Sequence, residues 1–345
     1  MDKVDVELGG SHLPPATGQD HCFDGRGREI PCSGSGQDGE MRYGRVWPEP
    51  RFAVVGEVVR DLLTGLSWTK NANLHDFPGS WPEALELAAA MNAEKAFGFD
   101  DWRLPNRREL LSLLSYQAKK PALPAGHPFD NVFLGWYWTS TSAAINPAYA
   151  WYIHLEGARM FYGRKDQDYL FWPVRGRNEL LAATGQEACY DQVGRPMECR
   201  GSGQDGEFRY GRLSPVPRFA VNAGTVMDRH TGLLWLADAD YFQKPMPWQE
   251  ALDAIARLNQ AGLAGRRDWR LPPVNALESL VDCSSHSPAL PAGHPFVNLR
   301  EVYWSATTSF FETDWAWALY LHKGALGVGY KPDTSFAVWP VCLPG

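Results

Sequence analysis

Slid along itself by 167 residues, the sequence aligns almost from end to end. Thr17-Gly18-Gln19 returns as Thr184-Gly185-Gln186, and Cys22 and Cys32 return as Cys189 and Cys199. Residues 34–40 (GSGQDGE) recur unchanged at 201–207, 101–105 (DWRLP) at 268–272, and 121–129 (PALPAGHPF) at 288–296. Between Asn131 and Tyr137 the second copy is one residue shorter, so Tyr137-Trp138 pairs with Tyr303-Trp304. Trp172-Pro173-Val174 then meets Trp339-Pro340-Val341 at the original offset. Two long, faithful copies are a duplication; a solenoid needs shorter and more numerous units. The division expected is a polar leader at 1–16, a first domain at 17–177, a linker at 178–183 and a second domain at 184–345. Each copy is long enough to bury a core. The joint is short, so the copies should touch, and 17–177 is expected to fold alone.

Within a copy, residues 51–59 and 61–68 read as short strands and turns. A helix follows: Ser80 and Glu83 fit a capping box, with Ala84, Leu87, Ala88 and Met91 on one face. The second copy keeps that stripe as Ala251, Ala254, Ile255 and Leu258. Asn106 and Glu109 cap a second helix with Leu110, Leu113 and Leu114 inward, matched by Leu277, Leu280 and Val281. Strand-like runs close the copy at 137–142, 150–155, 159–164 and 171–175. Helices followed by antiparallel strands make an α+β fold.

The net charge of −7 argues against nucleic acid, because phosphate binding rewards clustered Lys and Arg. A polyanionic glycan is disfavoured on the same ground. No apolar run approaches the roughly 20 residues of a membrane-spanning helix. Residues 1–18 contain no apolar stretch, so they do not read as an intact signal peptide. Cys22/Cys32 and Cys189/Cys199 each bracket a Gly-containing turn, with no second ligand pair for zinc. Cys283 and Cys342 stand where the first copy has Tyr116 and Arg175. Joint presence in one copy and joint absence from the other suggest a bonded pair. Three disulfides, Cys22–Cys32, Cys189–Cys199 and Cys283–Cys342, imply an oxidising compartment: extracellular, cell-surface or periplasmic.

The ordered motifs DWRLP, PALPAGHPF, YWTSTS and FWPVR resemble the Lcl C-terminal (Lcl_C) domain family, across each copy from about Thr17 to Arg177 and from Thr184 onward. That resemblance implies two tandem C-type lectin-like domains, related to the branch with formylglycine-generating enzymes. Each would have two helices and a loop-rich, mainly antiparallel sheet. It also implies exported or surface proteins that bind host glycan or matrix, and a Cys283–Cys342 bridge like one typical of C-type lectins. Collagen repeats, present in the family's namesake adhesin, are missing here, so the namesake's assembly and ligand do not transfer.

Fifteen tryptophans offer stacking faces for sugars. Twelve fall in matched pairs, and a position demanded twice is most simply core. The unmatched Trp47, Trp136 and Trp315 are the surface candidates. Trp151, Ile153 and Leu155 alternate with Tyr152, His154 and Glu156. The second copy keeps the first set apolar (Trp317, Leu319, Leu321) and changes the other to Ala318, Tyr320 and His322. The first set should face the core and the second should face out. Across the turn, Arg159, Tyr162, Arg164 and Lys165 correspond to Ala325, Val328, Tyr330 and Lys331. The expected ligand face is therefore Tyr152, His154, Arg159, Tyr162, Arg164 and Lys165, with Tyr320, His322 and Tyr330 in the second copy and Trp136 and Trp315 nearby. An ordinary solvated strand face is the plain alternative.

His127 and His294, one per copy without a companion ligand, read as structural. Asp38/Glu40 and Asp205/Glu207 sit in Gly-rich loops and leave Ca²⁺ open as a cofactor, although EF-hand spacing and a Glu-Pro-Asn triplet are missing. No hydrolase, metalloprotease or nucleotide motif occurs. The expectation is a non-enzymatic surface protein that binds a glycan or a protein. The alternatives are a self-assembling subunit of an extracellular filament or envelope complex, and an enzyme of the formylglycine-generating type.

Overall fold

The computed structural model describes residues 13–343. Up to residue 12, the leader expected at 1–16 lies outside the described residues. Residues 14–16 belong to the fold, because the Arg45 N–H donates to Pro14 O (2.7 Å) and the Ala16 N–H to Arg45 O (3.0 Å).

The first copy runs β1 (Cys22–Phe23), β2 (Glu29–Ile30), α1 (Asp38–Met41), β3 (Phe52–Val55), β4 (Val58–Asp61), β5 (Ser67–Thr69) and α2 (Trp81–Ala93). It continues with β6 (Trp102–Arg103), α3 (Arg107–Ser112), β7 (Trp136–Ser142), β8 (Tyr149–His154), β9 (Arg159–Arg164) and β10 (Val174–Arg175). The second copy opens with β11 (Cys189–Tyr190), β12 (Pro196–Met197), α4 (Asp205–Phe208), β13 (Phe219–Asn222), β14 (Thr225–Asp228), β15 (Leu233–Leu236) and α5 (Trp248–Ala261). It ends with β16 (Trp269–Arg270), α6 (Val274–Leu280), β17 (Val302–Thr308), β18 (Trp315–Tyr320), β19 (Ala325–Tyr330) and β20 (Val341–Cys342). The fold is α+β. Each copy has an antiparallel five-stranded sheet, ordered β3-β4-β5-β10-β6 in the first, a meander β7-β8-β9 and a small hairpin β1-β2. The one-turn helices α1 and α4 add to the two expected in each copy.

Local signals placed the starts of the longer helices, while α3 ends at Ser112 and α6 at Leu280, so Leu113, Leu114 and Val281 lie just past them. The Glu83 carboxylate accepts from the Ser80 N–H at 2.7 Å. Asn106 and Glu109 cap each other's backbone at 3.0 and 2.9 Å. All twelve matched tryptophans are fully buried. Four of the six pairs also spend the indole N–H on equivalent carbonyls: Trp81 on Thr139 and Trp248 on Ser305, for example, both at 2.7 Å. In those four pairs the bond satisfies a buried indole and ties the ring to one place in the fold.

The meander is covered on both sides. Trp151, Ile153 and Leu155 enter a large core built from residues of both copies. The opposite face, with Trp138, Ala150 and Tyr152, packs beneath α2 against Trp81, Ala84, Leu104 and Phe171. The same layer in the second copy holds Trp248, Trp304, Ala318 and Phe336.

Cys22–Cys32 and Cys189–Cys199 are bonded as expected. The third pairing is corrected: Cys283 and Cys342 are free and buried. They sit in different core clusters, Cys283 in the shared core and Cys342 in the layer under α5. Each replaces its counterpart independently. Tyr116 packs edge-on against Trp317 (5.1 Å), and Arg175 pairs with Asp101 (2.6 Å), where Cys342 instead faces Asp268. Burial pushes both thiols up to about 11.

The copies interlock, and Ala183, at the end of the expected linker, accepts from Arg108 at 2.6 Å. Each hairpin tip docks on the other copy. The Gln19 side chain brackets Thr308, donating to its carbonyl (2.9 Å) and accepting from its N–H (3.0 Å). Gln186 does the same to Ser142 at 2.9 and 2.8 Å. Thr307 donates to buried Asp38 (2.6 Å), and Thr141 to buried Asp205 (2.7 Å). Burial raises both carboxyls to about 6. Gly27 seats the first hairpin turn with φ +76°, and an added Cβ would lie 2.6 Å from Asp314 N, so only glycine fits. Gly194 occupies the matching seat beside Ala148. Between the copies, α3 meets α6: buried Arg108 pairs with Glu278 at 3.1 Å, and buried Arg107 donates to Gly324 O at 2.8 Å.

Candidate functional site

The outward placement expected for Tyr152, His154 and Lys165 is corrected, because α2, the second hairpin and Trp136 cover them. Tyr152 and His154 are buried, at 7% and 9% exposure. Trp136 lies over both, with ring centroids 4.4 Å from Tyr152 and 4.7 Å from His154, and Tyr169 closes the stack at 4.7 Å from Tyr152. Burial, helped by Arg159, holds the His154 imidazole below its ordinary value and so favours its neutral form. Burial also raises the Tyr152 hydroxyl.

Lys165 is fully buried. Its ammonium lies 4.0 Å from the Trp81 ring and donates to Tyr190 O (3.1 Å) and Asp191 O (3.3 Å) of the second hairpin. Lys331 grips the first hairpin alike, 4.1 Å from Trp248, donating to Phe23 O (3.3 Å) and Asp24 O (3.1 Å). Burial lowers both amines to about 7. These lysines are internal clamps.

Of the other candidates, Arg159 and Arg164 are exposed, and Arg164 is paired with Asp166. Tyr162 is half-buried against Trp151 (5.2 Å). In the second copy Tyr330 is exposed beside half-buried Trp315, while Tyr320 and His322 are half-buried. His127 and His294 stack on Phe129 and Phe296, in keeping with structural roles. The loop carboxylates are engaged too: Glu40 accepts from the Gly34 N–H (2.6 Å) and Gly36 N–H (2.7 Å), and Glu207 repeats this. Among the described residues, no group of three or more His, Cys, Asp or Glu is arranged to hold a metal ion.

Trp136 does line a cavity of about 300 Å³, together with Asn73, Asp76, Phe133, Leu134, Asp168 and Tyr169. Its rim is unusually apolar: Phe133 is 51% exposed, Leu134 46%, and adjacent Phe77 72%. Asp76 is held at φ +60°, an uncommon conformation for a non-glycine residue. The second copy changes the same places to charge. Phe77 becomes Lys244, paired with Glu250, and Phe133 becomes Arg300, whose guanidinium meets Asp240 (at the position of Asn73) at 2.5 Å. Val302 replaces Trp136. Trp136 was marked by its missing partner. Phe77, Phe133, Leu134 and the two aspartates lie in loops without periodicity, yet the apolar-to-charged changes between copies were a readable signal.

Residues 57–175 and 224–342, about two thirds of the chain, match the family model described as the Lcl C-terminal domain. The matched stretches keep the 167-residue offset and leave both disulfide hairpins outside. No curated protein and no solved structure matches the chain.

Proposed function

The chain belongs to the Lcl C-terminal domain family, and we propose that it is an exported, non-catalytic recognition protein that binds its ligand at the Trp136 pocket of the first copy. The two disulfides are compatible with export. The observation that carries the reading is the one-sided divergence of this pocket. Exposed Phe77, Phe133 and Leu134 persist in one copy, while the other has ion pairs there. Contiguous exposed apolar surface marks contact sites. Among glycan and protein ligands, the lining suits an uncharged glycan: an indole to pack on a pyranose ring, with Asp76 and Asp168 to accept from hydroxyls. Two longer helices, one single-turn helix and antiparallel sheets in each copy fit the proposed relation to C-type lectin-like folds.

The test is a glycan-array screen followed by titration of Trp136→Ala and Phe133→Ala against the strongest binder. Both variants should lose at least about tenfold in affinity, the effect of about 1.4 kcal/mol of lost contact, while keeping the parent melting temperature to within a few degrees. Parental affinity in both variants would refute this site.

A second reading, an assembling extracellular subunit, is favoured by β3 and β13. Both are edge strands and expose Val54, Val55 and Val221. An oligomer mass broken by charge on those valines would favour it. The formylglycine-type reading draws no support from Cys283 and Cys342, which sit in separate clusters with thiols held protonated.

A further inference from the structure

The first copy is covered by the second copy's hairpin β11-β12, and the second copy by the first copy's hairpin β1-β2. We propose that the groove on the second copy is a recognition site for the disulfide hairpin of another molecule of this chain, so that molecules join by exchanging residues 17–44. The two sockets and the two hairpins share their principal contacts, and the second socket adds Phe310 against Phe23 (5.9 Å) and a Thr313 hydroxyl donating to Gly27 O (2.8 Å). Each socket offers a buried lysine packed on a tryptophan, a threonine hydroxyl for a buried aspartate, and a backbone edge. Each hairpin brings the matching set: Gln19, Asp38, Gly27 and the carbonyls of Phe23 and Asp24 in the first, and their 167-residue counterparts in the second. A socket that reads these groups has no means of telling its own chain's hairpin from a neighbour's.

No covalent bond joins hairpin to socket. The Cys22–Cys32 bridge closes the hairpin on itself, and residues 45–51 alone connect it to β3. That connection is exposed at Arg45, Val46, Glu49 and Pro50, while half-buried Trp47 donates to Ala16 O (3.0 Å) and buried Arg51 anchors its end to Asp61. Exchange about this joint keeps every docking contact, so concentration decides between the closed chain and the linked one. The Trp136 pocket takes no part, and the inference stands apart from the ligand reading.

The experiment uses complementary full-length variants. Lys331→Glu spoils the socket and leaves the hairpin intact. Gly27→Val spoils the hairpin's seat and leaves the socket intact. Differently tagged, each is opened in mild urea and returned to buffer, alone and mixed, then examined by light scattering after gel filtration and by tag capture. The mixture should give a species of twice the 38.6 kDa chain mass carrying both tags, with neither variant doing so alone. No complex in the mixture, or equal complexes in each variant alone, would overturn the proposal. Should either variant fail to fold, two tagged wild-type populations replace them, opened and reclosed together at rising concentration. A mixed dimer that grows with concentration is then expected, and none up to about 1 mM, the effective concentration of a short tether, overturns it.

Discussion

Glu278→Ala should destabilise the whole molecule, because Glu278 holds the charge balance where the copies meet. Arg107 has no exposed side-chain surface and Arg108 has 6%, and their guanidiniums lie 3.6 and 3.1 Å from the Glu278 carboxylate. Removing one partner of a buried ion pair typically costs about 3–5 kcal/mol, since the other charge stays buried without its counterion. At roughly 2.1 cal/mol/K per residue, unfolding a chain of this length carries about 0.7 kcal/mol/K of entropy. The melting temperature should therefore fall by about 4–7 °C. Calorimetry should show one transition, because a single core contains residues from both copies. Exposed Glu312→Ala is the control and should change stability by less than about 0.5 kcal/mol. A Glu278→Ala melting temperature within about 1 °C of the parent, or two separate transitions with one shifted, would refute the reasoning.

Cys283 and Cys342 should react with a thiol reagent as two groups per chain in denaturant without reductant, and scarcely at all in the folded protein. A count of zero would restore the third disulfide. Stability of the parent relative to Asp38→Asn should depend on pH. A carboxyl raised from 3.8 to about 6 contributes stability that is fully present below about pH 3.8 and lost as pH rises through 6. The variant should therefore gain on the parent across that window in urea midpoints and run parallel above it; a constant difference would show that the folded-state value is ordinary. Lys331→Met should loosen the first hairpin alone, seen as faster amide exchange at residues 22–30 with residues 189–197 unchanged.

What the sequence made legible is local or doubled. Helix caps lie three residues apart, each disulfide closes over ten positions, and the matched tryptophans are identified by comparing copies. Which copy a hairpin covers was not legible. Gln19 reaches Thr308 across most of the chain, and both sockets repeat the same lysine, tryptophan and threonine, so these repeated residues prefer neither destination. Tyr152 misled for a different reason. Its change to Ala318 resembles free surface drift, yet it is a compensated repacking. In the first copy Tyr169 lies 4.8 Å from Trp138 with Tyr152 beside it, whereas in the second Phe336 stacks on Trp304 at 3.9 Å and fills the vacated space. Divergence between copies therefore marks a surface only where the neighbours do not change with it. Cys283 and Cys342 broke the converse rule: two changes present together were two independent replacements.

The duplication has divided its labour unevenly. The hairpin sockets repeat the same lysine, tryptophan and threonine contacts, so these contacts lock the halves without distinguishing them. The α3–α6 contact does distinguish them. Arg107, Arg108 and Glu278 have Val274, Asn275 and Leu111 at the equivalent positions, so the charged set occurs on one side of the pseudo-twofold only. Two first copies brought together in this way would bury four guanidiniums with leucine where Glu278 belongs, a penalty that favours pairing of unlike halves. The same asymmetry appears at the Trp136 pocket, open and aromatic in the first copy and bridged by Arg300 and Asp240 in the second. The second copy carries ion pairs where the first exposes Phe77 and Phe133. On the proposed reading, a ligand that needed both copies would require both pockets alike, so the difference between them is what places the proposed recognition site in the first copy.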